Sequence, residues 1–299
     1  MVVTGKGGVG KTTVAAALGL VAARRGLRTI VAEVQRRDDV SRALRHDAGS
    51  APGTRAGDEG IQEEELAPGL HHVSIDPELA MELYLTDQLP SALADVIASS
   101  RTFSYLAAAT PGMRELLTVG KVWERAQEDR RTPGATPYDL VVLDAPATGH
   151  GVAVLSAPRT FAQVARVGRI ARQGRTIDAM VSDPARTGVV AVALPEEMPV
   201  NETLALQDAL RDEVGLEVGL VIANGMLPRR FSAADARALD TAADSAEVRA
   251  ARHAHARAAA QRAQLERLRR GVRARVATLP FVFDGDRLTR LARELERVL

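Results

Sequence analysis

The stretch Gly5-Lys6-Gly7-Gly8-Val9-Gly10-Lys11-Thr12-Thr13 holds the residues of this chain best suited to chemistry. Its glycines let the backbone turn inward with no Cβ in the way, so that successive N–H groups converge on an anion. The spacing is G-x-x-x-x-G-K-[ST]. It puts Lys11 where a cation neutralises the β- and γ-phosphates of a nucleotide, and Thr12 where a hydroxyl ligates Mg²⁺. Lys6 is a second cation that the spacing does not require. Only Lys6, Lys11 and Lys121 are lysines among the 39 basic residues, so two in one turn stand out in a chain that otherwise uses arginine. A compact ammonium fits beside a phosphate oxygen where a broad guanidinium would crowd the turn. The same glycines contain G-x-G-x-x-G, and Glu33 follows at about the 20-residue distance of a dinucleotide site. Lys11-Thr12 decides between the two, being superfluous for a dinucleotide and required for a triphosphate.

A second stretch, "YDLVVLDAPATGHG", runs from Tyr138 to Gly151. It reads as an apolar strand ending in Asp144, a carboxylate able to hold Mg²⁺ through water beside the phosphate loop. Pro146, Thr148 and Gly149 read as a loop whose N–H groups sense a γ-phosphate and relax after hydrolysis. His150 reads as a residue that positions this loop rather than as a base, since phosphoryl transfer needs positioning and charge more than base strength. His253 and His255 fall on an arginine-rich helix, and no ligand cluster has the spacing of a zinc site.

These residues need elements to carry them. Short apolar runs rich in Val and Ile occur at Met1–Thr4, Thr29–Val34, His71–Ile75, Asp139–Asp144, Gly188–Leu194, Glu217–Ala223 and Arg275–Leu279. Little alternation within them is the pattern of parallel strands covered on both faces. Helical stretches fall between many of them: Lys11–Arg25 closed by Gly26, Glu202–Glu213, and Asp235–Gly271. Strand–helix alternation predicts an α/β fold with a doubly wound, mostly parallel sheet in a single domain over residues 1–299. The first strand is very short; either it is stubby or the chain starts upstream. Residues 45–69, poor in large apolar side chains, are expected to form a flexible surface loop. Residues 77–131 are expected as a helical insertion over one end of the sheet. Its apolar residues read as packing onto the sheet rather than as an exposed client groove.

Composition narrows the function classes. The 299 residues are 46% hydrophobic and 26% charged with a net charge of +1, which gives no general attraction to nucleic acid or anionic membrane. There is no cysteine, hence no disulfide, thiolate metal site or cysteine nucleophile. The apolar run Val14–Ala23 behind two lysines superficially resembles a signal peptide, but it is too short to span a bilayer. A soluble, cytoplasmic protein is expected, with no integral membrane segment and a peripheral membrane link left open. Glu247–Arg275 carries nine arginines and two acids, a basic stripe able to track phosphates; a solvated helix face is the plainer reading.

The quoted motifs resemble the anion-transporting ATPase family, the group of the arsenite-pump ATPase (ArsA type) and the tail-anchored-protein targeting ATPases, within the deviant Walker-A (SIMIBI) P-loop NTPases. "GKGGVGKTT" and "LDAPATGHG" carry the likeness most closely. "IDPELAMELY", "TPGMRELLTVGKVWE", "ALPEEMPVNETLAL", "VIANGMLP" and "ATLPFV" extend it along the chain. The resemblance implies ATP and Mg²⁺ as cofactors, a homodimer, and hydrolysis that opens and closes it around an unknown protein client. It implies that Lys6 reaches the partner's phosphates, that Glu202 lies near the opposite nucleotide, and that Asn224, Pro280 and Phe281 line the adenine side. Glu33 falls where the family places an Asp that positions the attacking water, so hydrolysis is expected but slow. Arsenite is not expected as a substrate without cysteine. The alternatives are a partition-type ATPase associated with DNA or membrane, and a nucleotide-binding regulator that does not hydrolyse.

Overall fold

A computed structural model describes residues 1–34, 38–48, 55–56, 61–88, 112–130, 134–164, 169–283 and 286–299. Nine strands form one sheet: β1 Val2–Gly5, β2 Thr29–Val34, β3 Arg55–Ala56, β4 Glu63–Ala67, β5 Leu70–Ile75, β6 Leu140–Ala147, β7 Val189–Ala193, β8 Val218–Met226 and β9 Arg275–Pro280. Their order is β3-β4-β5-β2-β6-β1-β7-β8-β9. The pairings from β5 across to β9 are parallel, and β3 and β4 add antiparallel strands at one edge.

Ten helices flank the sheet among the described residues: α1 Lys11–Arg24, α2 Asp39–Ala48, α3 Pro77–Gln88, α4 Met113–Arg125, α5 Thr148–Val164, α6 Arg169–Val181, α7 Glu197–Ala209, α8 Ala233–Thr241, α9 Ala246–Gly271 and α10 Arg287–Val298. Successive strand residues feed opposite cores. Val2, Ile30, Ala32, Val141, Leu143 and Val221 face one cluster, completed by side chains of α4, α5, α6, α7 and α9. Val3, Val31, Val142, Val190 and Ile222 face the other, with Val14 and Leu18 of α1, Val40 and Leu44 of α2, and Leu288, Leu291 and Leu295 of α10. Burial on both faces is why these strands read as unbroken apolar runs. The doubly wound α/β sheet expected from the sequence is the observed fold.

Three local expectations change. Residues 45–69 contain β4, whose Glu64 is buried in an ion pair with Arg45 of α2. Three consecutive glutamates have poor strand propensity, and tertiary partners override it. Residues 49–54 and 57–60 of this segment lie outside the described ones. Next, the single helix expected over Asp235–Gly271 is two. Ser232 starts α8 with a capping box, and Ser245 starts α9 by accepting the Val248 N–H at 3.2 Å. Arg252 closes the corner by donating to the carbonyls of Leu239 and Ala242. Finally, the expected loop at Pro146–Gly149 is no loop, because β6 runs to Ala147 and α5 begins at Thr148.

In the region of residues 77–131, α3 and α4 pack together. Leu116, Leu117, Val119 and Val122 of α4 are buried in the same core as β1 and β2. The stretch 89–111, which holds most of the suggested client-groove residues, lies outside the described ones.

Candidate nucleotide site

β1 lies between β6 and β7, so its carboxyl end delivers the glycine turn to the middle of the sheet edge. The turn fits only with glycine at two points. A Cβ on Gly5 would stand 2.1 Å from the Val192 carbonyl oxygen of β7. Gly10, the N-cap of α1, has φ +92, and a Cβ there would stand 2.4 Å from Asn224 Nδ2. By contrast, nothing lies within 4 Å of a Cβ built at the exposed Gly7 or Gly8, so close approach does not require glycine there. The first-turn N–H groups of α1 at Lys11, Thr12 and Thr13 have no intrahelical acceptor and point the positive helix end at the turn.

Val9 differs from the other loop residues. Its side chain is buried beneath α1, and only its backbone serves the turn. Asn224, at the carboxyl end of β8, donates from Nδ2 to the Val9 carbonyl at 2.8 Å. Thus a residue expected on the adenine side also braces the phosphate loop. Pro280 ends β9 opposite Met226, and the Phe281 N–H donates to the Met226 carbonyl at 2.9 Å. Phe281 is 44% exposed and meets Phe283 edge to face with ring centroids 4.7 Å apart. Phe281 lies against Gly225, the residue after Asn224, where a built Cβ would stand 3.9 Å from its Cδ2.

Thr12 and Asp144 come together from α1 and β6. The Thr12 hydroxyl donates to Asp144 Oδ2 at 2.6 Å. A hydroxyl and a carboxylate, both hard oxygen donors, at the positive end of a helix suit Mg²⁺ shared with phosphates. Lys11 Nζ donates to the Lys6 carbonyl at 3.0 Å, folding back on its own loop. Lys6 Nζ is ion-paired with Glu202 of α7 in the same chain.

Glu33 stands beside Asp144 in register across β2 and β6 and is 2% exposed. Its carboxylate faces α2. Oε1 accepts the Asp39 N–H at 3.2 Å, and Oε2 accepts the Val40 N–H at 3.3 Å and lies 3.1 Å from His72 Nε2. So Glu33 serves the first turn of α2 as an N-terminal acceptor, and His72 of β5 is its buried neighbour. His72 sits inside an apolar strand run. Its strand β5 lies three places from β1 in the sheet, and nothing in the local sequence marks it. His150 is exposed on α5, and no group of His, Asp and Glu among the described residues could hold a metal by itself.

A glycine turn between the central strands of a doubly wound sheet, followed by a helix whose Thr12 meets an aspartate at the end of the neighbouring strand, defines a fold of the P-loop class. Within that class the chain belongs to the anion-transporting ATPase family, whose profile matches residues 1–175 and 162–243. It is similar to ATPase BagA of Mycobacterium tuberculosis, 29% identical over 251 residues that cover 83% of this chain and 71% of that protein. The arsenical pump-driving ATPase of Escherichia coli is 25% identical over 255 residues, 78% of this chain and 40% of that one. ATPase ASNA1 homolog 1 of Paramecium tetraurelia is 28% identical over 160 residues, 52% of this chain and 42% of that one. Among the described residues no helix is long and apolar enough to cross a membrane.

Proposed function

We propose that this chain is a Mg²⁺-dependent ATP-binding and ATP-hydrolysing switch that works as a homodimer in the cytoplasm on a protein client. The observation that carries the reading is the Thr12–Asp144 contact at 2.6 Å at the start of the helix that follows the glycine turn. In the proposed assignment Gly5 to Thr13 hold the phosphates, Lys11 neutralises them, and Thr12 and Asp144 hold Mg²⁺. Asn224, Pro280 and Phe281 receive the adenine. Bound Mg²⁺ would supply charge neutralisation across the phosphate oxygens. Lys6 supplies a further positive charge to a partner's phosphates once it leaves Glu202, acting as an arginine finger does.

ATP turnover and ATP binding test this reading together. Lys11→Ala is expected to lose both, while Lys6→Ala keeps binding and loses turnover by about 10²-fold or more, the range of a removed transition-state cation. Chelation of Mg²⁺ should stop turnover in the unaltered chain. Turnover that survives Lys11→Ala would overturn the reading.

The placement of Glu33 favours a second reading, a nucleotide-binding regulator without hydrolysis. The Glu33 carboxylate is 2% exposed and held against the first turn of α2, away from the place of an attacking water in this reading. Tight ATP binding with no phosphate release from the dimer would select this second reading. Nucleic acid is not part of either. Arg249, Arg269 and Arg273 of the basic stripe pair with acids of this chain. DNA retention at low salt that falls steeply as salt rises would reverse that assignment.

A further inference from the structure

We infer that Glu202 and Thr148 park Lys6 within its own subunit, and that this three-residue relay lets the strand-to-helix junction after Asp144 control when Lys6 becomes free for a partner. The inference rests on the proposed role of Lys6 between subunits. Lys6 lies on the loop after β1, Thr148 opens α5 after β6, and Glu202 sits on α7 after β7. Because β1 is flanked by β6 and β7, the three elements meet at one point of the sheet edge. Glu202 uses both carboxylate oxygens there. Oε1 takes the Lys6 ammonium, and Oε2 accepts the Thr148 hydroxyl at 3.2 Å.

The arrangement has an electrostatic reason. Lys11 Nζ is bound to the Lys6 carbonyl, so two ammonium groups share one tight turn. A carboxylate at Lys6 offsets that crowding of positive charge. Yet the pair is weak enough to exchange, since the Lys6 and Glu202 side chains are each 31% exposed and partly screened by water. Thr148 decides how firmly the carboxylate is held. It is only four residues beyond Asp144, so a movement that draws the Asp144 junction toward bound phosphates withdraws the hydroxyl from Glu202 Oε2. The carboxylate is then anchored on one side only, and the flexible lysine stem can swing to another anion. Parking thus ties exposure of Lys6 to the state of the subunit's own site.

The relay separates two roles for Glu202. If it parks Lys6, removing its charge frees the lysine. If it is needed at the partner's nucleotide, removing its charge impairs turnover. ATP turnover is measured over a series of protein concentrations for the full chain and for Glu202→Gln, Thr148→Val, Lys6→Ala and Lys6→Ala/Glu202→Gln, with ATP binding followed by calorimetry. Parking predicts that Glu202→Gln reaches half-maximal specific turnover at a protein concentration lower by about two- to fivefold, the size of a partly exposed ion pair. Thr148→Val should move the same way by less, and Glu202→Asp should restore the original dependence. The double variant should match Lys6→Ala. An unchanged or higher half-maximal concentration in both Glu202→Gln and Thr148→Val, with ATP binding intact, overturns the inference. Should Glu202→Gln fail to fold, Thr148→Val carries the test alone. Turnover retained in Lys6→Ala instead overturns the underlying role of Lys6, whatever Glu202 does.

Discussion

At the scale of the residue, the phosphate loop is held by a small number of contacts that each have one replaceable partner. Asn224 is the clearest. Its amide meets the Val9 carbonyl at 2.8 Å from a strand 215 residues away in sequence. Asn224→Ala is expected to lower stability by about 0.5–1.5 kcal/mol in urea unfolding, the net worth of one such hydrogen bond. It should also weaken ATP binding, because the loop loses its brace. Asn224→Asp tests the donor specifically, since a carboxylate cannot donate to Val9. Gly10→Ala combines positive φ with a collision against the Asn224 amide and should unfold at lower denaturant than Asn224→Ala. The sequence disclosed the need for glycine in this loop. It could not disclose Asn224 as the residue that touches it.

At the scale of the element, α2 depends on a residue outside itself. An N-cap usually comes from the preceding residue. Here the acceptor is Glu33 at the end of β2, which meets the first-turn amides of Asp39 and Val40. Arg45, further along α2, binds Glu64 on β4, the strand next to the sheet edge. So the helix is fastened to two strands by charged groups, and Val40 and Leu44 fill the core between them. Glu33→Ala should cost about 1–3 kcal/mol, since buried amides lose their acceptor, and α2 amides should exchange hydrogen faster while those of α1 stay protected. Amide exchange read by element checks this. The family resemblance puts Glu33 where an Asp positions the attacking water. Only the fold shows which donors that carboxylate faces.

For the whole molecule, a second charged network lies around Tyr138, which leads into β6. Its hydroxyl donates to Glu63 Oε2 at 2.8 Å, and Arg125 and Arg130 pair with the same carboxylate. Arg28 stacks over the Tyr138 ring at 4.3 Å. The network joins α4, β4 and the start of β6, fastening a strand near the sheet edge that local sequence pattern does not show. Burial first, and the Glu63 charge second, push the Tyr138 phenol up from 10.0 to about 12. The folded chain therefore holds that proton more tightly than the unfolded one. Stability tied to it is fully present below the unfolded value and lost as pH rises through the folded value. Unfolding midpoints should fall between pH 10 and 12, and Tyr138→Phe should flatten that fall.

The sequence by itself determined the sheet's parallel centre, the glycine turn and the Thr12–Asp144 pair. These depend on local patterns: apolar runs without alternation, glycines at fixed spacing, and a carboxylate at the end of a strand. Lys11, Thr12 and Asp144 were legible because each chemistry demands one residue type at one place on an element. The tertiary structure decided what depends on who stands opposite. It turned Glu33 toward α2, seated His72 against it, broke the long basic helix at Ser245, and gave Glu63 and Glu64 of β4 arginine and tyrosine partners. It also set Lys6 against Glu202 of its own chain. A side chain's neighbours come from strands far apart in sequence, and no local pattern records which charge they bring.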